Sequence, residues 1–169
     1  MLSELLAGAA VSLVNFGIHA AMTGLIVVAT QHTAAVTSHL GIFARLTALL
    51  TITTATLLIA HVGEIAVWTG YIKLAGITIK NVEVFEFAFE NYTALGYGDA
   101  LPADGRRLLG PIIALNGLLL IGWSVAIIAD VHPARLGNTS STQSNVESVL
   151  VLHGSLRFVI TFSFELAHD

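Results

Sequence analysis

The chain has 169 residues, of which 55% are hydrophobic and only 11% charged, and its mean hydropathy is +0.82. Soluble domains carry about 25% charged residues, so this composition excludes a water-soluble globular enzyme. Seven Lys/Arg against eleven Asp/Glu leave a net charge of −4, the wrong sign for a nucleic-acid surface, and the lack of any Cys removes disulfides, thiolate metal sites and cysteine nucleophiles. What remains is one small membrane domain.

No charged residue occurs between Leu5 and Ala44, and the part up to Thr30 is rich in Ala, Gly, Val and Leu. A bilayer span needs about 20 such residues, so this stretch predicts one helix. Met1-Leu-Ser-Glu4 lacks the basic start of a signal peptide, and the helix is therefore expected to be retained. Gln31 to His39 is polar and short, suited to join two antiparallel helices. Leu46 to Ile72 is the second span, interrupted only by Glu64, and Leu108 to Ala129 is the third, closed by Asp130 and then by Pro133, which cannot continue a helix.

Between the second and third spans, Val82 to Thr93 is aromatic-rich and carries Glu83, Glu86 and Glu90. A helix over these residues is about 18 Å long, half a bilayer. The next residues, Leu95-Gly-Tyr-Gly-Asp99, are too glycine-rich for a helix interior. Non-helical backbone at membrane depth survives only where protein buries it or where it lines a watery cavity. The pattern predicts a re-entrant loop, a short helix descending and a glycine-rich strand returning; the competing reading is a surface turn.

Asn91-Tyr-Thr-Ala-Leu-Gly-Tyr-Gly-Asp99 resembles the selectivity filter of the potassium-channel family, Thr-Thr-Val-Gly-Tyr-Gly-Asp. The resemblance extends to the aromatic helix before it (Phe85, Phe87, Phe89, Tyr92), to the turn Pro102-x-x-Gly105-Arg106, and to the apolar helix that follows. His61-Val-Gly-Glu-Ile-Ala-Val-Trp68 is similar to the outer helix of small bacterial members of the two-transmembrane type. Together these cover about Leu46 to His132. The resemblance implies an all-α membrane protein with three transmembrane helices, a pore helix and a filter loop, assembled as a homotetramer in contact with membrane lipid. It implies an extra helix and loop over residues 1–39, a pore domain over 40–132, and a cytoplasmic linker and tail over 133–169.

In that family, rings of backbone carbonyls from four loops replace the hydration shell of K⁺. The resemblance places the filter at Thr93, Ala94, Leu95, Gly96, Tyr97 and Gly98, with K⁺, the permeant ion, held by the carbonyls of Ala94, Leu95, Gly96 and Tyr97. Such a strand must turn successive carbonyls one way, and Gly96 and Gly98 can take the positive φ this needs. Tyr97 is expected to wedge against the pore helix. Ala94 replaces a threonine whose hydroxyl lines the innermost ion site, so that site should hold ions more weakly; Leu95 replaces a valine. Glu90 and Asp99 are expected to brace the filter as a carboxyl pair sharing a proton, while Glu83 and Glu86 are expected to be solvated. Gly117 and Gly122 are the candidate gating hinges, with close packing as their alternative role. Asn116, Leu120 and Ser124, at i, i+4 and i+8, are expected to line the cavity below the filter.

His61 and Glu64 are neighbours on one helix face. Two ligands on one helix do not make a metal site, so helix glue or a pH-sensitive contact is the expectation, with Asn15 and His19 as hydrogen-bonding partners from the first helix. Trp123 is expected to pack. In the family it resembles the pore loop enters from outside, which implies the amino terminus outside, Gln31 to Ala44 inside and Pro133 onward inside, in a bacterial plasma membrane, although the few basic residues do not favour this orientation. No span carries the Arg/Lys series of a voltage sensor. Gly137 to Ser148 is a polar linker, and Val149 to Phe164 is apolar but too short to span, with Phe158, Ile160, Phe162 and Phe164 alternating like a strand and no role assigned. The leading expectation is a potassium-selective channel. The alternatives are a weakly selective cation pore, a non-conducting scaffold and, last, a metallo-enzyme based on His61 and Glu64.

Overall fold

A computed structural model of the protein describes residues 2–98, 100–103 and 105–130. Four helices occur among them: α1 (Leu2–Val36), α2 (Ile42–Leu74), α3 (Val84–Tyr92) and α4 (Leu109–Asp130). Three are long and apolar enough to cross a membrane, namely α1, α2 and α4. Asp99, the linker and the strand-like tail lie outside the described residues.

α1 and α2 run past their apolar stretches. At 1.5 Å per residue each is about 50 Å long, well beyond a hydrocarbon core of about 30 Å. Hydropathy marks where lipid ends, whereas a helix without Gly or Pro in its way can run on into polar residues. Between Thr30 and Gly41 there is neither, and α1 accordingly continues through Gln31 and His32 to Val36.

α2 ends in a glycine-dependent turn. Gly76 is left-handed (φ 64°), its N–H bonds the Lys73 carbonyl at 3.1 Å, and the Ile77 N–H bonds the Ile72 carbonyl at 3.0 Å. This is a Schellman ending, which satisfies the last helical carbonyls at the cost of one left-handed residue. The chain then crosses to the segment behind the glycine-rich loop through a single antiparallel bridge, Ile79 with Pro102. Two backbone hydrogen bonds, Lys80 to Leu101 (3.2 Å) and Ala103 to Thr78 (2.8 Å), hold it. Pro111 lies in the first turn of α4, where a missing N–H costs nothing.

The chain divides into two compact units. One comprises residues up to His19 together with Thr56–Ala126, and so contains the start of α1, most of α2, all of α3 and most of α4. Its apolar core joins Ile65, Trp68 and Ile72 of α2, Phe87, Ala88 and Tyr92 of α3, and Leu109, Ile113 and Leu120 of α4. The α2 set recurs every three or four residues, the spacing of one helix face. In the other unit, which includes Ala20–Ala55, Ile26 and Leu49 are buried. There Thr30 and Thr53 return their hydroxyls to the carbonyls four residues back, at 2.8 and 2.9 Å. That arrangement leaves no hydroxyl proton without an acceptor in an apolar surrounding.

Candidate functional site

The short helix α3 has nine residues, about 13 Å of rise. Its buried side carries Phe87, Ala88, Glu90 and Tyr92, and Phe85 and Phe89 on the other side are exposed with ring centroids 6.2 Å apart. Glu83 and Glu86 are exposed, as expected of solvated carboxylates. Asn91 clamps the helix from within, donating to the Phe87 carbonyl at 2.8 Å. Its amide also fills the space above Gly110, where a Cβ would come within 2.5 Å of the Asn91 Oδ1.

α3 ends by the same motif as α2. The Ala94 N–H bonds the Asn91 carbonyl at 2.9 Å and the Leu95 N–H bonds the Glu90 carbonyl at 3.0 Å. The left-handed position, glycine in α2, is here Ala94, at φ 56°. An L-residue pays about 1–2 kcal/mol for that hand, and the extra backbone freedom of glycine returns part of it. Ala94→Gly is expected to stabilise the fold by about 0.5–1 kcal/mol. The check is thermal unfolding of the purified protein, in which an unchanged or lowered midpoint would contradict a left-handed Ala94.

Beyond Ala94 the hand alternates. Gly96 (φ 48°) and Gly98 (φ 83°) are left-handed, and Leu95 and Tyr97 between them are not. Residues Ala94 to Gly98 are exposed in the single chain. Tyr97 is 71% exposed in the single chain, its ring not buried against α3. Thr93 is half-buried and turns its hydroxyl back onto the Phe89 and Glu90 carbonyls, at 2.9 and 3.1 Å. Glu90 is buried, and its expected partner Asp99 lies outside the described residues.

Behind the loop lies a buried polar cluster drawn from all four helices. Glu64 Oε1 meets His19 Nδ1 at 2.8 Å, and Glu64 Oε2 meets His61 Nδ1 at 3.1 Å. The Tyr92 hydroxyl donates to Glu64 Oε2 and lies 2.7 Å from His61 Nδ1. On the far edge of the rings, Ser124 Oγ is 2.9 Å from His61 Nε2 and 3.4 Å from His19 Nε2. Above it, Asn15 Nδ2 donates to the Glu64 carbonyl (3.3 Å) and to Asn116 Oδ1 (3.0 Å). Trp68 Nε1 donates to the same oxygen at 2.9 Å. An indole N–H can only donate, and this fixes which way the Asn116 amide faces. Burying a carboxylate at membrane depth is expensive unless it is paired, and here every contact comes from a different turn or helix. Trp123 packs, its ring 5.4 Å from His19 and 6.3 Å from Phe16.

The pairing of His61 with Glu64 and the reach of Asn15 and His19 across from α1 are as expected. The cavity-lining expectation is corrected. Asn116, Leu120 and Ser124 do share one face of α4, but that face is buried inside the chain, with Leu120 at 0% exposure. A polar side chain in a span needs water or another polar group, and Asn116 and Ser124 have the second. The open face of α4 instead carries Leu115, Leu118, Leu119, Gly122 and Val125. α4 is unbroken through both expected hinges. Gly117 is a close-packing point, since a Cβ there would lie 1.9 Å from the Tyr92 carbonyl oxygen, whereas nothing lies within 4 Å of one at Gly122. Tyr92 and Trp68 as cluster members escaped the sequence reading, because an aromatic at helical spacing reads as core.

No curated protein and no solved structure matches the chain. The family model described as "Ion channel", a family of channels rather than enzymes, matches residues 47–132, which run from α2 through the glycine-rich loop and past the end of α4. The protein is thus an integral membrane protein that belongs to the two-transmembrane-type ion-channel family.

Proposed function

We propose that this channel is selective for potassium and conducts passively through a pore built by four identical chains. The observation that carries the reading is the alternation of hand along Ala94 to Gly98. In an ordinary strand successive carbonyls point to opposite sides; when every second residue is left-handed they gather on one side. Only glycine takes that hand without strain, and glycine stands at two of the three left-handed positions. One such strand offers a row of main-chain oxygens but cannot surround a dehydrated ion. Closed point symmetry supplies the remaining copies. The exposed Phe85, Phe89, Leu95 and Tyr97 are apolar surface of the kind such a contact would cover.

In this reading K⁺ binds the carbonyls of Ala94, Leu95, Gly96 and Tyr97. Glu90 braces the loop together with Asp99, the loop enters from outside, and the carboxyl-terminal tail is cytoplasmic. A weakly selective cation pore is the second reading, favoured by one fact: Ala94 has no hydroxyl to offer an ion. Bi-ionic reversal potentials of the reconstituted protein separate the two. The expected permeability ratio favours K⁺ over Na⁺ by roughly tenfold or more, since about 1.4 kcal/mol of differential binding already gives that factor. Equal permeabilities would leave the weakly selective pore, and no flux of either ion would leave a non-conducting scaffold.

A further inference from the structure

From the buried cluster we infer a second, chemically different cation site: His19, His61 and Glu64 form a binding site for a divalent first-row transition metal, Zn²⁺ being the probe. The sequence places only His61 and Glu64 together, which is one ligand short. The fold supplies the third from α1, and His19, His61 and Glu64 each offer a ligand atom within 4.8 Å of the others. Two imidazoles and one carboxylate are a familiar zinc donor set, leaving a fourth position for an oxygen. Ser124 Oγ already lies within 3.4 Å of both rings, and the Tyr92 hydroxyl lies against Glu64 and His61. Tetrahedral bonds of about 2.0–2.1 Å put ligand atoms about 3.3 Å apart. The two imidazoles now contact different oxygens of Glu64, at 2.8 and 3.1 Å, so side-chain rotation that draws the three ligand atoms together from within 4.8 Å seats an ion.

The donors also say which ion. Imidazole nitrogen suits Zn²⁺, Cu²⁺ or Ni²⁺, while K⁺, Mg²⁺ and Ca²⁺ prefer all-oxygen surroundings, so this site is not a station on the potassium path. Access runs through His61, whose side chain is 18% exposed, whereas His19 and Glu64 are fully buried. A metal there joins α1 to α2 and engages the same carboxylate that holds Tyr92. Tyr92 is the last residue of α3, and its carbonyl packs on Gly117. Occupancy therefore acts on the base of the glycine-rich loop. That last consequence rests on the channel reading; the binding itself does not.

The test uses tag-free, full-length protein in detergent, titrated with Zn²⁺ and separately with Co²⁺. The expected result is one ion per chain, with the strong visible bands of four-coordinate Co²⁺. Affinity should fall by roughly a hundredfold or more in His19→Gln and in His61→Gln, since losing outer-shell partners alone costs 10–100-fold. His32→Gln with His39→Gln, both exposed on α1 and its turn, should leave it unchanged. Absence of saturable binding, or the weak spectrum of six-coordinate Co²⁺, overturns the site without reference to any variant. Unaltered affinity in a folded His19→Gln protein does the same. Flux is measured separately in liposomes. Potassium flux that ignores Zn²⁺ despite bound metal overturns the coupling to Tyr92, and saturable metal binding by a protein that conducts nothing even when metal-free supports the site while overturning the channel reading.

Discussion

Gly96→Ala is expected to reduce potassium flux from reconstituted protein to the level of protein-free liposomes. Within one chain the loss would not come from crowding, because nothing of that chain lies within 4 Å of a Cβ at this position. It would come from the hand of the backbone: φ at Gly96 is 48°, and an L-residue there costs about 1–2 kcal/mol. In the proposed pore of four copies the cost is incurred four times around one ring. A loop with few contacts of its own can relieve that strain by letting a peptide flip, which turns a carbonyl away from the ion. The fold itself should suffer little, since Ala94 shows the same loop holding one alanine in that hand. The measurement is potassium-driven flux in liposomes alongside thermal unfolding of the same preparation. Wild-type flux in a folded Gly96→Ala protein would contradict the role given to the loop.

The second large effect is expected at Gly117, and it is one of stability. A Cβ there would lie 1.9 Å from the Tyr92 carbonyl oxygen, 2.8 Å from its carbonyl carbon and 3.0 Å from its ring. Main-chain atoms cannot swing aside as a side-chain tip can, so α4 must move away from the end of α3. Overpacking of this kind costs about 1–3 kcal/mol and more where backbone must shift. Gly117→Ala is therefore expected to lower the unfolding midpoint by several degrees and to disturb the Tyr92 end of α3. Gly122→Ala is the matched control. It meets nothing within 4 Å and replaces glycine by a better helix former, so its midpoint should hold or rise. Equal midpoints for the two variants would mean that Gly117 is not the close-approach point, and would return the hinge reading to favour.

These two glycines show what could and could not be read from the chain alone. The three spans were readable because apolar runs of 20 or more residues with at most one charge have few alternatives. Their ends were not, because α1 runs on through the polar Gln31 and His32 to Val36. The half-length helix and the glycines after it were readable for the same reason, a length and a composition that suit no other element. A residue's face is also readable: Asn116, Leu120 and Ser124 do share one. Which neighbour that face meets is a fact about three-dimensional packing that periodicity does not contain, and so the polar residues were assigned to water when they belong to His61, Asn15 and Trp68. The cluster was half readable, since His61 with Glu64 and Asn15 with His19 advertise themselves by spacing. Tyr92 did not, and neither did the left-handed Ala94, because alanine carries no mark of the hand it is made to adopt.

The proposed pore requires main-chain oxygens from several copies to surround one cation, and the most direct test is a density map of the purified protein in potassium. The predicted map shows four chains about one axis, with a file of ion peaks flanked by the carbonyls of Ala94, Leu95, Gly96 and Tyr97. A particle without fourfold symmetry, or residues 94–98 wound into a helix against lipid, would contradict it.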